Sequence, residues 1–228
     1  MSKLLFIETS TSLCSTALAE DGCIVCSRRS SEPRAHASLT AVFVKEMMDE
    51  AGWAAPDAVC VSMGPGSYTG LRVGVSTAKG LCFGWKVPLI AISTLDILVQ
   101  QAIEAGLPDG CAAILPMVDA RRMEVYTAPY SPTGERLGDI APVVLDANSF
   151  SDLFASGPIV VIGDAAEKFK NCHSERSEGI SFIQACPEAT AMLVPAMQKY
   201  EKKEFEDVAY FEPFYLKQFI ATTPKKLF

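Results

Sequence analysis

The chain has 228 residues, about one and a half times a typical ~150-residue domain, which admits one bilobed domain or two small ones. Hydrophobic types make up 49% and charged types 21%, a balance that excludes a disordered or fibrous chain, and the longest uncharged apolar runs fall well short of the ~18 residues that span a bilayer. Lys and Arg number 20 against 27 Asp and Glu, and the resulting charge of −7 repels a polyphosphate backbone and excludes unaided nucleic-acid binding unless cations cluster locally.

At the start only residues 4–7 are consecutively apolar before Glu8, against the ~7–15 of a secretory segment, so a cytoplasmic protein is expected. Lys3–Glu8 predicts a first strand, Thr9-Ser10-Thr11-Ser12 a hydroxyl-rich turn, 15–20 a second strand, and Asp21-Gly22 a hairpin into a third over 23–29. Leu39, Val42, Phe43, Met47 and Met48 recur at helical spacing over 36–51, and Gly52 closes the run. A short apolar strand, 58–63, feeds Gly64-Pro65-Gly66-Ser67 and a helix over 68–84; strand 88–92 and helix 94–105 follow.

Leu107-Pro108-Asp109-Gly110 is a break, after which strands over 111–119 and 123–130 and the turn Pro132-Thr133-Gly134 restart the pattern. Glu8 and Asp119 each end a first strand, 111 residues apart, and the turn glycines Gly22 and Gly134 are 112 apart. Helix 147–155, strand 159–162 and Gly163-Asp164-Ala165 echo the helix, strand and Gly64 loop of the first half. This self-similarity predicts an α/β protein of two structurally duplicated lobes, 1–106 and 107–228. Residues 171–179 read as an exposed polar loop, 188–201 as a helix, and 211–217 as an aromatic segment that packs back onto a lobe.

The eight cysteines are scattered among apolar neighbours, as free thiols used as small hydrophobes are, so no disulfide is expected. Cys23-Ile24-Val25-Cys26 has zinc-type spacing, but residues i and i+3 of a strand face opposite ways and no second pair completes a metal site. His36 and His173 form no helical metal pair and are assigned surface or capping roles. The loop from Gly64 to Gly70 matches neither a nucleophile elbow, a Walker A loop nor the dinucleotide fingerprint. Gly70, Gly74, Ala78 and Gly84 in the following helix read instead as a close-packing face or protein interface, because each interior glycine costs about 1 kcal/mol relative to Ala. The Thr9 to Ser12 turn is open to two readings, a phosphate-holding hairpin and an ordinary polar turn.

Phe6-Ile7-Glu8-Thr9-Ser10, the string Met63-Gly64-Pro65-Gly66-Ser67-Tyr68-Thr69-Gly70-Leu71-Arg72-Val73-Gly74, Val118-Asp119-Ala120-Arg121-Arg122-Met123-Glu124-Val125-Tyr126 and Tyr215-Leu216-Lys217 resemble the TsaB family over essentially the whole chain. The resemblance implies the actin-like, sugar-kinase-like ATPase fold with two duplicated βββαβα lobes. It further implies a non-catalytic partner of TsaD in making threonylcarbamoyladenosine beside the tRNA anticodon, pairing through two N-lobe helices. On that reading Glu8, Thr9, Ser10 and Asp119 form a vestigial nucleotide or phosphate cleft. Leu39, Val42, Phe43 and Met47, with Tyr68, Gly70, Leu71, Gly74, Val75 and Ala78, form the partner interface, which makes a homodimer when the chain is alone.

No cofactor and no metal are expected, a TsaE-like ATPase is a further candidate partner, and tRNA meets the chain only through the complex. TsaD carries two metal-binding histidines in Asn-His-Leu-Glu-Gly-His; the similar stretch here, Ser93-Thr94-Leu95-Asp96-Ile97-Leu98, has Thr94 and Leu98 in their places, a poor ligand and a non-ligand. The family's terminal motif usually ends on Arg, and here Lys217 stands there. Two alternatives are an ATP-binding kinase or ATPase with Glu8 and Asp119 on a magnesium–phosphate group, and a metal-dependent glycopeptidase-like protease, which the missing histidine pair disfavours.

Overall fold

The computed structural model describes residues 2–173 and 179–217. The first half runs β1 (Lys3–Glu8), β2 (Cys14–Glu20), β3 (Cys23–Ser30), α1 (Ala35–Ala51), β4 (Ala58–Gly64), α2 (Tyr68–Trp85), β5 (Leu89–Ser93) and α3 (Thr94–Ala105). The second runs β6 (Ala113–Asp119), β7 (Glu124–Thr127), β8 (Ala141–Val144), α4 (Ser151–Phe154), β9 (Ile159–Gly163), α5 (Ala166–Cys172), β10 (Ile180–Gln184), a 3-10 turn (Ala189–Met192) and α6 (Leu193–Lys202). The sheets have the orders β3-β2-β1-β4-β5 and β8-β7-β6-β9-β10, so one topology occurs twice, as the spacing of Glu8 and Asp119 predicts. In each half the first strand is antiparallel to the second and parallel to the fourth, which places Glu8 and Asp119 at equivalent strand ends.

Strand β1 is apolar on both faces because both are covered, the pattern of an interior strand. Leu5 and Ile7 pack with Val44 and Met47 of α1 and Val75 and Ala78 of α2. Leu4 and Phe6 face the other way, onto Ala189, Ala191, Met192 and Ala196. Each such side chain, fully buried, contributes roughly 1.5–3 kcal/mol. The halves also exchange helices. Leu95, Leu98, Val99 and Ala102 of α3 pack on Ile114, Val118, Val160 and Ile162 of the second sheet, while α6 lies on the first. The open edge of β5 is covered in the same way: Lys199 Nζ donates to the Ala91 carbonyl at 2.7 Å and Glu206 N to the Leu89 carbonyl at 2.8 Å.

Beyond α6 the chain returns along the first sheet as a strap. Val208 and Phe211 join the α1–α2 core, Lys79 Nζ donates to the carbonyls of Ala209 (3.1 Å) and Phe211 (3.0 Å), and Phe214 N donates to the Met63 carbonyl at 2.7 Å. The Tyr215 ring lies 4.9 Å from that of Tyr68, and Lys217 crosses to the second half to pair with Glu124.

Three local expectations need correction. The helix expected over 147–155 is a single turn, since Asp146 Oδ1 accepts from Asn148 N and Ser149 Oγ in a side-chain-closed turn, and Phe150 is left-handed at φ 63°. The loop expected over 171–179 begins as helix, because Asn171 and Cys172 finish α5; residues 174–178 lie outside the described residues. His173 caps that helix, yet it is buried, stacked on Phe169 at 4.1 Å, with its ring nitrogens 3.1 Å from the carbonyls of Phe169 and Ser149. All eight cysteines are free thiols, and among the described residues no helix is long and apolar enough to cross a membrane.

Candidate functional site

The turn after β1 is buried, and α2 lies directly on it. Ser10 N donates to Glu8 Oε1 at 2.5 Å, the Thr9 hydroxyl donates to the Gly70 carbonyl at 2.8 Å, and Ser67 N donates to the Ser10 carbonyl at 2.6 Å. A Cβ at Gly66 would overlap the Ser10 carbonyl, one at Gly70 the Thr9 carbonyl, and one at Gly74 the Thr9 hydroxyl. Those glycines let helix and turn touch backbone to backbone. Ser67 caps α2, its Oγ accepting from Gly70 N at 3.3 Å. The glycine string is thus intramolecular packing chemistry and not a phosphate cradle.

The turn after β6 stands opposite, across a cleft of about 780 Å³ between the two halves, and is built from the opposite materials. Arg121 and Arg122 take consecutive left-handed conformations (φ 71° and 50°) and, like Asp119, line the cleft. Asp119 Oδ1 accepts from Arg121 N at 2.5 Å and from Lys168 Nζ at 2.6 Å, and Asp119 N donates to Asp164 Oδ1 at 2.8 Å. Burial pushes the Asp164 carboxyl up to about 6, against the hydrogen bond from Asp119 N that lowers it.

The four expected cleft residues separate on this geometry. Glu8 is fully buried behind the turn, away from the cleft wall, and desolvation pushes its carboxyl up to about 7 despite hydrogen bonds from Ser10 and Ser62. The Thr9 hydroxyl is committed to α2, and the Asp119 carboxylate is neutralised by Lys168. Of the four, Ser10 lines the cleft with a hydroxyl that has no hydrogen-bond partner among the described residues. A magnesium–phosphate group held by Glu8 and Asp119, as the fold's ATPases would imply, does not fit these residues. One carboxyl is enclosed and the other is already ion-paired.

The expected partner interface separates in the same way. Met47, Val75 and Ala78 are buried in the core on the first sheet, Leu71 is buried beside Gly64, and Gly70 and Gly74 lie against Thr9, so these six face inward. Leu39, Phe43 and Tyr68 are half-buried and Val42 is exposed. The outward face of α2 lies further round and carries Val73, Ser76, Gly80, Phe83 and Gly84. Phe83 is 83% exposed, and a Cβ at Gly80 or Gly84 would meet nothing within 4 Å among the described residues. The row Ser76, Gly80, Gly84 was the available signal: it is a second line of small residues four apart, parallel to the Gly70, Gly74, Ala78 line that packs inside. Thr94 and Leu98 are fully buried on α3, with Leu98 in the core shared with Val118.

Relatives match this arrangement over nearly its full length. The model of the TsaD family, tRNA N6-adenosine threonylcarbamoyltransferase, matches residues 26–211. The TsaB protein of Escherichia coli K12, named for tRNA threonylcarbamoyladenosine biosynthesis, is 30% identical with 96% of each chain covered. The crystal structure of YeaZ from Pseudomonas aeruginosa superposes with a TM-score of 0.81 at 29% identity, covering 95% of this chain and 100% of that one. Component A of the Acidaminococcus fermentans (R)-2-hydroxyglutaryl-CoA dehydratase, at 10% identity and a TM-score of 0.51 over 90% of this chain and all of that one, shares the fold alone. The repeated strand order, the glycine-bearing helix laid on the first turn and full-length similarity to such proteins place the chain in the TsaB family, on the actin-like, sugar-kinase-like fold.

Proposed function

We propose that this chain is a non-catalytic subunit of the machinery that makes threonylcarbamoyladenosine in tRNA, and that it acts by holding a TsaD-like enzyme through the outer face of α1 and α2. The carrying observation is the exposed line Ser76, Gly80, Gly84 beside Phe83. Each glycine inside the helix costs about 1 kcal/mol relative to Ala, and at Gly80 and Gly84 no contact among the described residues requires it. A close-approaching partner helix supplies the missing requirement, with Phe83 as the aromatic anchor and Val42, Phe43 and Leu39 of α1 as the apolar surround. The E. coli relative's name supports the pathway, and the buried Thr94 and Leu98 support a role other than metal catalysis. Left without its partner, the same face pairs with a second copy about a two-fold axis.

The test is co-expression with the TsaD-like protein of the same genome. Wild-type chain co-purifies with it, Phe83→Asp does not, and Phe83→Asp alone runs as a monomer by light scattering where wild type runs as a dimer. Retained co-purification by a folded Phe83→Asp would sink the proposal.

A further inference from the structure

The two most exposed large apolar side chains among the described residues are Phe83 at 83% and Tyr210 at 84%, and they belong to one neighbourhood. Lys79 stands one helical turn before Phe83 on the same side of α2, and its Nζ donates to the carbonyls of Ala209 (3.1 Å) and Phe211 (3.0 Å), the residues on either side of Tyr210. The strap therefore runs beside the flank of α2 that carries Phe83, and Tyr210 stands next to the docking face without belonging to a helix.

The backbone that presents Tyr210 is anchored on both sides. Val208 and Phe211 pack into the core under α1 and α2, Asp207 Oδ1 accepts from Ala209 N at 2.8 Å and from Tyr210 N at 3.2 Å, and Phe211 N donates to the Asp207 carbonyl at 2.8 Å. A ring held out in water adds no burial to the fold. Because its backbone is already ordered, it loses little conformational freedom when a partner covers it. Tyr is also among the residue types that carry most of the binding energy at interfaces.

Charge selects the surface that fits it. Residues 204–212 contain four acids, Glu204, Glu206, Asp207 and Glu212, and no lysine or arginine. None of the four forms an ion pair with a described residue. A second copy of the chain, itself at −7, brings no excess of cations to meet them, whereas a pocket with a cationic rim does.

We propose that the strap is a second docking element for the TsaD-like enzyme: Tyr210 enters an apolar pocket of that subunit rimmed by arginine or lysine, while self-pairing of the chain uses the helices alone. The inference rests on the docking proposed above and adds to it a segment outside the two helices.

Calorimetric titration of the TsaD-like subunit with full-length variants tests this. Tyr210→Ala weakens binding about tenfold or more, whereas Tyr210→Phe, which keeps the ring, binds as wild type does. Glu212→Lys weakens binding and lessens its dependence on salt. By light scattering Tyr210→Ala alone remains a dimer, and its unfolding temperature stays at the wild-type value, so the lost affinity is not a lost fold. If Phe83→Asp loses the enzyme while Tyr210→Ala binds as wild type does, docking through the helices stands and the strap assignment falls. Retained binding by both variants removes the docking reading itself, and this inference with it. A monomeric Tyr210→Ala assigns the ring to self-pairing and overturns the enzyme as its occupant, and unchanged affinity in Glu212→Lys overturns the cationic rim.

Discussion

The two halves share one strand order, but their helices differ: α1 and α2 have 17 and 18 residues, whereas their counterparts α4 and α5 have 4 and 7. The second sheet is instead sealed by aromatics, Phe150, Phe154, Phe169 and Phe182, around the stacked His173. Both halves keep what the strand order needs, including a positive-φ glycine at the end of the fourth strand, Gly64 at 109° and Gly163 at 138°. Topology is therefore fixed by strand pairing and turn geometry. Helix length beyond what covers the sheet is extra surface, and the first half alone carries it, on an outer face dotted with small residues. The first turns differ in the same spirit, one enclosed and neutral around Glu8, the other open and cationic around Arg121 and Arg122.

If turn geometry holds both halves together, the largest effect should come from the second half's Gly163. A Cβ there would overlap the Met117 carbonyl, and its φ of 138° strains any other residue. Backbone strain and overpacking together put Gly163→Ala at about 4 kcal/mol less stable, read as a lower urea midpoint. A loss under about 1 kcal/mol would break the equivalence with Gly64.

The enclosed turn predicts a pH signature. Glu8 holds its proton up to about pH 7 when folded but only to the ordinary 4.5 when unfolded, and Asp164 likewise to about 6 against 3.8. The folded chain thus carries more protons in this window. Stability is highest below about pH 4 to 5 as far as these groups are concerned, and falls as pH rises through 6 and 7. Glu8→Gln should flatten this slope and gain about 3 kcal/mol at pH 8, measured by denaturation across pH. A steeper slope in Glu8→Gln would show the carboxylate to be ionised in the folded state.

Smaller effects belong to the outer face. Phe83→Ala should leave stability within about 0.5 kcal/mol of wild type and weaken partner binding by about 2 kcal/mol, roughly thirtyfold, by calorimetry. Gly80→Ala should raise stability by up to about 1 kcal/mol, since nothing within 4 Å opposes the new methyl, while loosening the docked helix. Gain in both stability and affinity would show that no partner needs the glycine.

Much of this was legible in the sequence. The 111-residue spacing of Glu8 and Asp119 exposes the duplication because both acids follow an apolar strand and precede a turn. The α4 and α5 regions were harder, since a helix of one or two turns has too few residues to show a 3.6 period. The inner and outer faces of α2 were confused for a different reason. Both bear small residues four apart, and only the position of Thr9 against Gly70 and Gly74 tells which line is enclosed. That contact joins residues some 60 apart in the chain, beyond any local pattern. The arginine turn went unread because two consecutive left-handed arginines have no sequence signature of the Asn-Gly kind.

The central claim, that the chain works by docking its first-half helices on an enzyme, is tested most directly by reconstituted tRNA modification with the TsaD-like subunit and Gly80→Arg. Modified adenosine should fall to the level seen with this chain omitted, while the purified chain by itself should yield none. Full modification with a folded Gly80→Arg, or product formed by this chain alone, would contradict the account.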